Sequence, residues 1–63
     1  LVLKTDRYIY VIELKYDGSA EAALAQIEEK GYCTPFVNDS RTLVKIGANF
    51  SSATRNLDEW IVR

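Results

Sequence analysis

Two long runs dominate the pattern: Tyr8–Tyr16 is apolar except at Glu13 and Lys15, and Thr42–Phe50 carries a period-two apolar set at Val44, Ile46, Ala48 and Phe50. Both are rich in aromatic and β-branched residues, which fit a pleated, half-buried surface. Each therefore predicts a strand. Leu1 to about Lys4 predicts a short strand before them, and Thr5-Asp6-Arg7 is short and polar, as a hairpin turn should be. Between the long runs the period changes. Ala20, Ala23, Leu24 and Ile27 recur at helical spacing and predict one helix over about Ala20–Lys30. Ser19 is its expected N-cap, Glu21 suits the positive end of the helix dipole, and Gly31 is the expected stop. Tyr32 to Arg41 reads mostly as loop, with Pro35 as a breaker and Asn38-Asp39-Ser40 as a turn. After a turn at Ser51–Thr54, Asn56–Arg63 predicts a last strand. Its register stays open, because Trp60-Ile61-Val62 is a continuous apolar run.

The order is β-β-α-β-β, which predicts an α+β (α/β) fold: a mixed sheet with one helix on a face. The four alanines Ala20, Ala22, Ala23 and Ala25 point to close helix–sheet approach. If the strands flanking the helix are parallel, the crossover should be right-handed.

One detail breaks the apolar pattern. Glu13 and Lys15 stand two apart at the end of the second strand, on the row that also carries Ile9 and Val11. Charges on a core-facing row are usually paired or used. One arrangement that uses them is a magnesium-dependent phosphodiesterase site, where the carboxylate holds the metal and the lysine meets the phosphate. The plainer reading is a solvated cross-strand charge pattern. With Asp6-Arg7 at the turn centre, hairpin geometry sets Glu13 opposite the residue or two immediately before Leu1.

Composition narrows the field. Sixty-three residues make at most one domain. The net charge of −1 gives no global attraction to nucleic acid, so any such affinity needs a local patch. With one cysteine and no histidine, a disulfide framework, a Cys/His zinc site and a histidine-dependent triad are excluded within this chain. The lone thiol suits a cytoplasmic setting. No run approaches the length of a membrane helix, and no signal-peptide pattern is present. The glycines are scattered and form no phosphate-binding loop. The chain opens in mid-strand without methionine, so a C-terminal fragment is expected, with an open sheet that associates with a second copy.

The string from Tyr8 through Glu13-Leu14-Lys15 and Gln26 to Gly31-Tyr32 resembles the PD-(D/E)XK nuclease superfamily. It is most similar to the branch found C-terminal to an AAA-ATPase-like domain in bacterial proteins. Val44–Ser51 and Thr54–Trp60 are similar to that branch as well. The resemblance implies a truncated restriction-endonuclease-like core acting on nucleic acid, DNA in preference to RNA. It implies that, in the complete domain, Glu13 and the Leu14 backbone carbonyl bind Mg²⁺ or Mn²⁺. Lys15 would orient or activate water and stabilise charge on phosphorus, Gln26 would position lysine or substrate, and Lys30 and Tyr32 would contact substrate. The family's first acid has no matching residue, and Asp6 lies too near the turn to replace it. This stretch alone is therefore expected to be inactive. Two functions stay open: a metal-dependent nuclease in the full-length protein, or a non-catalytic interaction or nucleic-acid-binding module that keeps the fold beside its ATPase-like neighbour. Tyr8, Tyr10, Phe36 and Trp60 are expected to pack in a small core, with base stacking as the other use. Cys33 reads as a small hydrophobe.

Overall fold

A computed structural model describes all of residues 1–63. Four strands and one helix follow in the expected order: β1 Val2–Lys4, β2 Tyr8–Tyr16, α1 Ala20–Glu29, β3 Thr42–Ser51 and β4 Asn56–Val62. They form one mixed sheet in the spatial order β1-β2-β3-β4. The outer pairs are antiparallel, and β2 runs parallel to β3. A parallel pair needs a crossover, and α1 supplies it.

The β1–β2 hairpin takes the register that its turn implies. Val2 faces Val11, Leu3 faces Tyr10 and Lys4 faces Ile9. Leu1 continues it, exchanging two backbone bonds with Ile12 at 2.8 and 3.0 Å.

The helix ends as its flanking residues dictate. The Ser19 hydroxyl accepts from Ala22 N–H at 3.0 Å. At the other end, Lys30 is the C-cap and Gly31 takes φ = +66°. Gly31 N–H donates to Glu28 O and Tyr32 N–H donates to Ile27 O. That pair of bonds is a Schellman closure, which needs a residue tolerant of the left-handed region.

The core lies between α1 and one face of the sheet. Ile9, Val11, Leu24 and Ile27 are its centre, and Cys33, Phe36, Leu43 and Ile61 pack around them. Only two of the four helix alanines serve the approach: Ala20 and Ala23 are buried, whereas Ala22 and Ala25 are exposed. The close contact is made by Gly47 on β3. A β-carbon there would stand 2.4 Å from Ala20 O and 2.9 Å from Leu24 N. Glycine is required at this position by space, since the helix backbone lies directly on it.

Two expectations change, and one open question is settled. Pro35 does not simply break the loop; it sits in a 3-10 turn, Thr34–Phe36, where proline fits the first helical positions. Trp60 is not in the core. It is 64 % exposed on the far face of the sheet, where Tyr16, Leu57 and Val62 are also exposed. Tyr8 is exposed as well, and of the four aromatics Phe36 packs against the core. The register of β4 is settled by a bulge. Asn49 faces Glu59 and Phe50 faces Leu57, leaving Asp58 as the extra residue. Ile61 then points to the helix while Trp60 and Val62 point away.

Candidate functional site

Glu13 and Lys15 leave β2 on the helix side, continuing the row of Ile9 and Val11. Those two are fully buried, whereas Glu13 and Lys15 are half-buried. The row thus runs from core to rim along one strand. Across from it, α1 presents Gln26 two turns into the helix. Lys15 Nζ donates to Gln26 Oε1. Gln26 Nε2 in turn donates to Glu13 Oε1 at 3.4 Å. One amide therefore bridges a cation and an anion, its oxygen toward the lysine and its NH₂ toward the carboxylate. A glutamine suits this place because it carries both an acceptor and donors.

The bridge leaves bonding capacity free. An ammonium has three donors and Gln26 occupies one of them. Glu13 keeps its second carboxylate oxygen. The Leu14 side chain is on the far face, and its backbone groups point to the same side of β2 as those of Ile12, which bond Leu1. Leu14 O is thus directed out from the β1 side of β2, next to Glu13.

An open cleft of about 410 Å³ begins at Glu13 and is walled by Val2, Val11, Tyr32 and Phe36. Tyr32 thus shares a cleft with Glu13. Lys30 lies four residues after Gln26, on the same stripe of the helix. It is exposed, at the C-cap, and takes part in no ion pair. Asp6 is in the β1–β2 turn, seven residues from Glu13 along the strand, roughly 23 Å at the usual rise. It cannot reach this site.

A second hollow, about 190 Å³, lies between α1 and the neighbouring strands. Two ion pairs occupy it, Lys45 with Glu28 and Arg63 with Glu21, the latter at 3.0 Å. Its cations are already matched, and the hydrogen bond to Glu28 pushes the Lys45 ammonium up from its ordinary value. Arg41 is matched too. Its guanidinium bonds Asp39 at 2.8 and 2.9 Å and holds that carboxyl well below the usual range. Three of the eight Lys and Arg side chains are thus tied to acids, which shrinks any patch for phosphate. Cys33 packs against the core, and burial pushes its thiol up, away from a reactive thiolate.

A model of the PD-(D/E)XK nuclease superfamily matches residues 1–60. The chain belongs to the PD-(D/E)XK nuclease superfamily. Comparison with curated proteins and with solved structures gave no match. The mixed sheet with one helix fits the core of this superfamily, whose enzymes are nucleases that generally use divalent metals. No group of three or more acidic or thiol side chains in this structure is arranged to hold a metal. The donors beside Lys15 are of the right kind, being oxygens from one carboxylate and one backbone carbonyl. Magnesium accepts such a set, because it keeps several waters and draws further ligands from phosphate.

Sequence reasoning missed the residues that hold this site in place. Gly47, Asn49, Asp58 and Glu59 all face α1 or the turn before it. A signal existed. Lys45, Gly47 and Asn49 form the row of β3 opposite the apolar Val44, Ile46, Ala48 and Phe50. A small or polar row on the helix-covered face of a central strand marks a close approach or a buried hydrogen bond.

Proposed function

We propose that this chain is the C-terminal part of a metal-dependent nuclease domain that hydrolyses phosphodiesters of nucleic acid, DNA in preference to RNA. The observation that carries the reading is the Glu13–Gln26–Lys15 bridge at the mouth of a cleft, in a chain of the PD-(D/E)XK superfamily. Glu13, through its free carboxylate oxygen, and Leu14, through its backbone carbonyl, are the ligands for Mg²⁺ or Mn²⁺. Such an ion, when bound, activates water and offsets charge on the phosphoryl oxygens. Lys15 directs its remaining donors to a phosphate oxygen and stabilises the charge that develops there. Gln26 fixes the Lys15 ammonium and the Glu13 carboxylate relative to each other. Tyr32, in the same cleft, and Lys30, one turn beyond Gln26, are the substrate contacts.

The hairpin register leaves Glu13 opposite the position just before Leu1. The first acid of the family pattern belongs there or beside it, and this stretch alone is inactive without it. The resemblance to the branch carrying an AAA-ATPase-like domain supports such a neighbour upstream in the same bacterial protein. The unpaired thiol supports the cytoplasm. The far face of the sheet carries Trp60, Tyr16 and Val62 exposed and no charged position, which supports self-association through that face. Sedimentation showing a monomer at high micromolar concentration would count against it.

The test of the catalytic reading is cleavage of DNA and RNA by the full-length product with Mg²⁺ or Mn²⁺. Activity lost in Glu13→Ala and Lys15→Ala supports it. An inert full-length protein, or activity indifferent to Glu13→Ala, overturns it. A second reading is favoured by the single carboxylate at the site: a module that keeps the nuclease fold for binding. It wins if the residue before Leu1 is neither Asp nor Glu and the full-length protein binds nucleic acid without cutting it.

A further inference from the structure

We propose that Asn49 is a positioning residue for the Glu13–Gln26–Lys15 group, acting through the turn that joins β2 to α1. The inference rests on the reading of that group as the functional site. It concerns residues that the family pattern quoted above does not assign to the chemistry.

The turn Asp17-Gly18-Ser19 connects the strand that carries Lys15 to the helix that carries Gln26. Three side chains from the β3–β4 hairpin hold it. Asp17 accepts from Ser52 N–H at 2.9 Å and from Ser52 Oγ at 2.7 Å. Asn49 Oδ1 accepts from Gly18 N–H at 2.8 Å. Glu59 Oε1 accepts from Ala20 N–H at 2.7 Å, satisfying an orphan amide at the positive end of the helix.

Asn49 is the buried member, 2 % exposed, and is the register partner of Lys15 on β3. Both ends of its amide are used, since Nδ2 donates to Asp58 Oδ1 at 2.9 Å. The β4 bulge makes this work. Adjacent strand residues normally point to opposite faces, but the extra residue lets Asp58 and Glu59 both serve the helix side. Asp58 orients the Asn49 amide so that its oxygen, not its nitrogen, meets Gly18. An amide turned the other way would set donor against donor.

The lever arm decides how much this matters. Gln26 lies six residues beyond Ala20, about 9 Å along the axis at the helical rise. Tilting α1 by about 10° at its start displaces Gln26 by roughly 1.5 Å, enough to break a hydrogen bond. Looseness at Gly18 is therefore felt at Lys15 and Glu13, and misplacement of about 1 Å is costly to chemistry.

The test uses the ¹⁵N-labelled 63-residue chain and reads the Gln26 side-chain amide resonance. Lys15→Ala defines the position of a released amide. Asn49→Ala, folded by circular dichroism, is expected to move the Gln26 resonance most of the way there. Asn49→Asp sets two carboxylates together and should do the same. The double variant Asn49→Asp/Asp58→Asn restores a donor–acceptor pair and should return the resonance. Asp58→Ala, at an exposed position, should move it in the same direction by less. A lowered melting temperature with the Gln26 resonance in its wild-type place would overturn the positioning role. So would an unmoved resonance in Asp58→Ala, should the Asn49 variants not fold. If Lys15→Ala itself leaves Gln26 unmoved, the bridge is refuted and the positioning role falls with it. If Gln26 responds as expected but the full-length protein never cleaves, the catalytic reading fails and the positioning role stands.

Discussion

Replacing Gly47 by alanine tests whether α1 is held on the sheet by space alone. The new methyl group would meet Ala20 O at 2.4 Å, Leu24 Cγ at 2.8 Å and Leu24 N at 2.9 Å. A carbon–oxygen contact normally closes at about 3.3 Å, so the helix must lift by roughly 1 Å. Two of the three obstructing atoms are backbone and cannot rotate aside. Overpacking of this kind costs about 1–3 kcal/mol. The loss of chain entropy in the unfolded state returns about 0.4–1 kcal/mol. The net is about 1–2 kcal/mol, against a total of about 3–9 kcal/mol for a domain this size. Small domains lose about 4–8 °C per kcal/mol, so the melting temperature should fall by about 5–15 °C. The assay is thermal unfolding by circular dichroism, with Gly18→Ala as control. A β-carbon at Gly18 would meet its nearest atom at 3.5 Å, an ordinary contact. That variant should melt no lower than the parent. A Gly47→Ala protein that melts with the parent would refute the packing argument, and with it the geometry that brings Gln26 to Lys15.

Other outcomes follow from the same contacts. Ser19→Ala removes the cap on Ala22 N–H and should cost about 1 kcal/mol, read as a lower denaturation midpoint with unchanged slope. Asp39 has a folded-state pKa depressed by its bonds to Arg41. Its contribution is therefore full above the unfolded value of about 3.9 and is lost as pH falls toward the depressed one. The gap in melting temperature between the parent and Asp39→Asn should thus be widest near neutrality and narrow from about pH 4 downward. A constant gap would show that the Arg41 pair does not stabilise the fold through its charge.

Much of the fold was legible because its signals are local. An aromatic and β-branched run marks β2, a period-two run marks β3, the Ser19 and Gly31 caps bound α1, and the short Thr5–Arg7 turn sets the hairpin register. The pairing of Glu13 and Lys15 on one side followed from strand geometry alone. What stayed hidden depends on residues distant in sequence. The bulge at Asp58 appears only when β4 is laid against Asn49, and it decides that Trp60 faces away from the helix. Gly47 looks like a weak strand residue until the helix lies on it. Asn49 looks like a polar interruption until Gly18 and Asp58 are beside it. Trp60 lies off the core because hydrophobicity favours burial without saying which face of a sheet is covered.

The proposed function requires a divalent ion beside Glu13. Titration of Mn²⁺ into the ¹⁵N-labelled full-length protein decides it, because the ion broadens only nearby resonances. The expected result is broadening centred on Glu13, Leu14, Lys15 and the Gln26 side chain, abolished in Glu13→Gln. Broadening centred on Asp17 or on Asp58 and Glu59, or a pattern that Glu13→Gln leaves intact, would contradict it.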